Sequence, residues 1–144
     1  MRKSKRDIQF KTCYIPVALL LATNLCFAQK NSFPIVTANE KISIIYDRKS
    51  VRIDSIVANL LAEDIERVTS FKPKLMTDIA QAKGAVIVIG NIQSTLVQKF
   101  ISVQSPVHRS LLNKWECFAF RTMDRPASNI SKALVIAGSD ARGT

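Results

Sequence analysis

Few residues in this chain could do chemistry at all. His108 is the single histidine, and Cys13, Cys26 and Cys117 are the three cysteines. A zinc site needs three or four converging His and Cys ligands, and this inventory cannot assemble one. No metal and no cofactor is expected. As a general base His108 would need an orienting partner, and none is identifiable, so it reads as a surface histidine. Cys117 lies inside an apolar run and reads as a small core residue rather than a nucleophile. The stretch Gly90-Asn91-Ile92-Gln93-Ser94 lacks both G-x-G-x-x-G and G-K-[ST], which argues against a phosphate-cradling loop. What remains is Asp64, inside an apolar helical stripe, and the closing stretch Ala133 to Thr144 (ALVIAGSDARGT). There an apolar run meets a turn at Gly138. Ser139 or Asp140 then offers a side-chain oxygen that can cap a helix, and Arg142 and Gly143 follow.

The elements that must position these residues alternate between strand and helix signals. Lys41 to Tyr46 reads as a strand, with Ile42 and Ile44 on one face and Ile45 on the other. Asp47 or Ser50 can cap the element that follows. Val51 to Thr69 has the clearest helical period, through Ile53, Val57, Leu60, Leu61, Asp64, Ile65 and Val68. Asp64 therefore either reaches a rim and a nearby base, or is a buried carboxylate held by a donor where another domain docks. An unpaired buried charge is too costly to keep, so a hydrogen-bond partner is expected. Pro73 stops the helix, and Lys74 to Thr77 is a short strand. Asp78 to Lys83 fits one helical turn with a left-handed exit at Gly84.

Ala85 to Gly90 (AVIVIG) is an unbroken β-branched run and should be covered on both faces. Ser94 is placed to cap a helix over Thr95 to Ile101, with Leu96, Val97 and Phe100 inward. Ser102 to Asn113 reads as a loop with one turn near Leu111-Leu112. Trp115 to Met123 reads as an interior strand, ended by Asp124-Arg125-Pro126, and Ala127 to Lys132 as a polar loop before the last strand. Some links are too short for parallel crossovers. The fold class is therefore α/β (α+β), a mixed sheet flanked by helices.

Residues 1–28 carry the parts of a secretory signal. A basic start is followed by an apolar core (IPVALLLATNL), then Cys26 and Ala28 precede Gln29. Cleavage is expected at Ala28/Gln29, with membrane contact only before it and a secreted or periplasmic product. Phe33-Pro34-Ile35-Val36 then reads as an edge strand or extended arm. The net charge of +10 invites a nucleic-acid reading. Removing the leader's five bases and one acid from the chain's 21 and 11 leaves 16 and 10, scattered without a basic run or interleaved aromatics. That is a mildly basic solvated surface, and no nucleic-acid partner is expected.

Four stretches occur in order: LAEDIERVTSFKPKL (Leu61 to Leu75), GAVIVIGN (Gly84 to Asn91), KWECFAF (Lys114 to Phe120) and KALVIAGSDARGT (Lys132 to Thr144). Together they resemble the N-terminal domain of glycoside hydrolase family 115, the xylan α-1,2-glucuronidases. Similar endings occur in accessory domains of β-hexosaminidases and other α-glucuronidases. The resemblance implies an accessory domain over residues 29–144, incomplete at its C-terminus, ahead of a catalytic domain. That downstream domain is the implied partner, and glucuronoxylan is met only through it. The acid and base carboxylates of an inverting hydrolysis would lie there, so no catalytic or substrate-binding residue is expected in this chain. Cys117 stands where the resemblance implies a small polar residue. For Gly138, Asp140, Arg142 and Gly143 two readings stay open. In the local one, Asp140 caps a helix start and Arg142 pairs with a neighbouring carboxylate. In the other they brace the interdomain contact, or edge toward the cleft where Arg142 meets a uronate. The alternative for the whole chain is a free-standing exported carbohydrate- or protein-binding module, against which the scarcity of aromatics outside expected strands and helices counts.

Overall fold

The computed structural model of the chain describes residues 32–36, 41–48 and 52–144. The expectations for the leader, for Ala28 and Gln29, and for Ser50 lie outside those residues. The architecture is organised around β3, Gly84–Asn91, whose residues are all buried except the half-buried Gly84. A run of β-branched residues with no polar alternation is stable only when both sheet faces are packed. It lies in the middle of a five-stranded sheet of order β2-β1-β3-β5-β4. The other strands are β1 (Ser43–Tyr46), β2 (Lys74–Met76), β4 (Phe118–Ala127) and β5 (Ile130–Gly138). β1 runs parallel to β2 and β3, and β3 parallel to β5, while β4 is antiparallel to β5. The mixed sheet flanked by helices is the expected fold class.

Parallel neighbours need crossovers. The helix α1 (Arg52–Thr69) carries the chain from β1 to β2, and two short helices, α2 (Thr95–Gln98) and α3 (Pro106–Leu111), follow β3. They lie on opposite faces. Ala85, Ile87 and Ile89 of β3 cluster with Ile42, Ile44 and Ala58, Ala62 and Ile65 of α1. Val86 and Val88 point the other way, towards Leu96, Val97, Phe100 and Leu111. Ser94 caps α2 as expected, its hydroxyl accepting from the Leu96 amide at 3.1 Å. Asp78 caps a 3-10 turn over Ile79–Gln81, and Gly84 takes the left-handed exit at φ 72°.

Three expectations are corrected. The first concerns α1, which seats on Asp54, Ala58, Ala62 and Ile65 rather than on the centre of the large apolar stripe. Small alanines let the helix approach the sheet closely, and Ile53, Leu60 and Val68 are left exposed. Asp64 turns outward and accepts from Arg67 Nη1 at 3.2 Å, which is the rim reading with its partner. Second, residues 102–113 are not mainly loop. Ser105 accepts from the His108 amide at 3.1 Å, and Pro106 opens α3 at a position where its missing N–H costs nothing. His108 is half-buried there rather than a surface histidine. Third, the strand expected in the interior from Trp115 is β4, an edge strand beginning at Phe118. Pro126 does not end it, because an edge tolerates a missing donor, and the ladder shifts register between Asp124 and Ala127. The expected polar loop shrinks to a tight turn between Ala127 and Ile130.

Candidate functional site: an aromatic half-sheet beside the C-terminal turn

β4 pairs Phe118 with Gly138 and Phe120 with Ile136. Cross-strand partners share a face, so both rings lie on the side of the sheet that α1 covers over β1, β2 and β3. Over β5 and β4 that cover is missing among the described residues. Leu134 and Ile136 are half-buried at the cluster's margin, and Phe118 and Phe120 are each 61% exposed. The two rings pack on one another with centroids 5.3 Å apart and planes tilted by 60°. Val57 is half-buried in the same cluster as Leu134 and Ile136, and Ile53 and Leu60 are exposed. In a right-handed β1–α1–β2 crossover the helical wheel turns this flank towards β5, away from β2. The result is an apolar shelf with aromatic rings at its outer edge.

The strand's entry and the turn after β5 are stitched together. The Ser139 amide donates to the Cys117 carbonyl at 2.8 Å, and the Cys117 amide donates to the Ser139 hydroxyl at 3.1 Å. Asp140 is the hub. Its Oδ2 accepts from the Glu116 amide at 3.0 Å, and its Oδ1 from the Arg142 and Gly143 amides at 2.9 and 2.8 Å. These donors, Glu116 first and Gly143 next, hold its carboxyl below the usual carboxylate range against a slight desolvation. Glu116 itself sits at φ 53°, a region that a non-glycine residue occupies at a cost. The bond from its amide to Asp140 helps to keep it there. Arg142 Nη1 donates to Glu116 Oε1 at 3.0 Å, and its guanidinium lies 5.9 Å from the centre of the Trp115 ring.

Both glycines of this motif are required by contact rather than by backbone angle. A Cβ on Gly138 would come within 2.5 Å of the Thr144 amide nitrogen, and one on Gly143 would overlap the Cys117 carbonyl oxygen. Within the described residues Asp140 caps its own turn rather than a helix, and Arg142 pairs with the neighbouring acid Glu116. Cys117 is exposed, not part of the core. Its apolar neighbours misled because they face solvent as well. Trp115, 72% exposed, and the two phenylalanines form the surface feature that alternation alone missed. The signal that could have found them is Pro126, which marks the strand as an edge.

His108 lies in α3 and is not brought to this turn. Among the described residues no group of three or more His, Cys, Asp or Glu side chains is arranged to hold a metal ion. The chain matches no known protein-family model and no curated protein.

Proposed function

We propose that this chain is a non-catalytic accessory domain of a secreted glycoside hydrolase of the xylan α-1,2-glucuronidase type, docked through the aromatic half-sheet onto the catalytic portion of that enzyme. One observation carries the reading: an apolar surface, with Phe118 and Phe120 exposed and Leu134 and Ile136 half-buried, adjoins the hydrogen-bonded Asp140–Arg142 turn. Contiguous exposed apolar patches mark interaction sites. The ordered resemblance of four stretches supplies the enzyme class. The parts of a signal in residues 1–28 support export to the periplasm or the medium. On this reading the purified chain releases no glucuronic acid from glucuronoxylan, and it binds the separately produced catalytic portion of a parent-type enzyme. Binding is lost when Phe118 and Phe120 are both changed to Ser. Release of glucuronic acid by the chain alone, or unchanged docking by the double variant, overturns it.

The exposed aromatics favour one second reading, a carbohydrate-binding surface. Trp115 with Arg142 and Glu116 beside it offers a stacking face and polar groups together. Retardation of the chain in a xylan-containing gel, abolished by Trp115→Ala, selects this reading over docking.

A further inference from the structure

The sheet contains a second place where chemistry-bearing residues converge. β1 has β2 on one side and β3 on the other. The chain leaves β1 towards α1 on one face and leaves β3 towards α2 on the opposite face. Where successive connections diverge in this way, a crevice opens beyond the carboxyl ends of the strands, and open α/β sheets bind their ligands there. Here the crevice is a cleft of about 380 Å³. Asp47 and Arg48 from the end of β1, Thr77 and Asp78 from the end of β2, and Thr95 and Lys99 from α2 and its end line it.

The polar groups of this cleft divide into two sets. The acids already serve the fold. Asp78 accepts from the Ala80 amide at 2.9 Å and from Gln81 Nε2 at 3.3 Å. Asp47 Oδ2 accepts from the Ser94 hydroxyl at 2.9 Å and the Thr95 hydroxyl at 3.4 Å, which ties the two walls together. The cations are not so engaged. Among the described residues the ion pairs involve neither Arg48 nor Lys99. The lining is balanced in formal charge, two cations against two carboxylates, so an anion is drawn by the donor groups themselves rather than by a net field. A guanidinium and an ammonium in one cleft lining offer donors to a planar or tetrahedral oxyanion.

We propose that the cleft between the ends of β1 and β2 and α2 binds a small-molecule oxyanion, a carboxylate or a phosphate, through Arg48 and Lys99, with the Thr77 hydroxyl as a further donor. The volume lies in the range of small-molecule pockets. The site is remote in the sheet order from the β4 edge, so it stands or falls independently of the docking role.

The test titrates the full chain, labelled for amide NMR, with inorganic phosphate and separately with citrate, holding ionic strength constant with sodium chloride. Saturable shifts confined to the amides around Arg48, Thr77, Thr95 and Lys99 are expected. The phosphate and citrate arms show which oxyanion is preferred. In Arg48→Gln/Lys99→Gln the dissociation constant should rise at least tenfold, while Lys114→Gln, on the far side of the sheet order, should leave it unchanged. Both substitutions are on exposed side chains, and an unchanged amide spectrum elsewhere checks that the fold persists. Shifts that do not saturate, that chloride reproduces, or that survive in the double variant overturn the proposal.

Discussion

On the α1 side of the sheet, two neighbouring halves are built from similar residues and end in opposite states. Over β1 and β3, Ile42, Ile44, Ile87 and Ile89 are buried beneath Ala58 and Ala62 of α1. Over β5 and β4, Leu134 and Ile136 are only half-buried, and Phe118 and Phe120 stand in solvent. The larger side chains are on the open half. Apolarity decides which face of a strand wants cover, and the presence of a helix at the right spacing decides which face gets it. α1 seats through small residues, which brings it close over β1 and β3, so that only its flank at Val57 reaches the margin of β5, and β4 stays uncovered.

Truncating one side chain on each half should separate the two by several-fold in stability. Ile87→Ala, on the closed half and 1% exposed, should lower the unfolding free energy by about 2–5 kcal/mol. Phe120→Ala, on the open half, should change it by no more than about 0.5 kcal/mol. Urea denaturation of the two variants reads the difference directly, and equal losses would show that the phenylalanines are covered. A smaller effect is expected at the edge of the open half. Gly143→Ala forces a methyl group against the Cys117 carbonyl, a backbone atom that cannot swing aside. It should cost about 1–3 kcal/mol and speed amide exchange at Cys117 and Ser139, whose mutual bonds would part. Exchange unchanged at both amides would mean that the turn and the strand entry are not coupled.

Much of the closed half was legible beforehand and little of the open half was, for a physical reason. β3 declares itself because a run such as Ala85 to Gly90 has one stable environment. Ser94 declares its cap because the oxygen acts locally, within two residues. Local bonds are readable from local order. The side of the sheet on which Phe118 and Phe120 lie, and whether anything lies over it, depends on partners such as Ile136 and on α1, far away in the chain. The period of α1 gave the same difficulty. Its large residues mark a stripe, but close approach selected Ala58 and Ala62 beside it. Asp140 and Arg142 were readable as a turn, yet Glu116, which binds both, lies 24 residues from Asp140 and carried no signal of its own.

The smallest expected effect concerns pH and tests whether Asp140 is what holds the strand entry against the turn. Its carboxyl is depressed chiefly by the amides of Glu116 and Gly143, with Arg142 adding to the effect. A group whose folded value is depressed contributes its stabilisation in full above the unfolded value, about 3.9 for aspartate, and loses it as pH falls through the folded value. The contribution of Asp140 is thus complete at pH 7 and disappears only below about pH 4. Asp140→Asn keeps an acceptor oxygen but removes the charge and turns one donor towards an amide proton. Melting temperatures of the parent chain and of this variant should therefore differ slightly at pH 7 and converge as the pH falls below about 4. Salt should reduce the gap little, because three backbone amides rather than distant charges make it. A gap that stays constant across that range would show that it comes from the acceptor oxygen that asparagine loses, and not from the charge of Asp140.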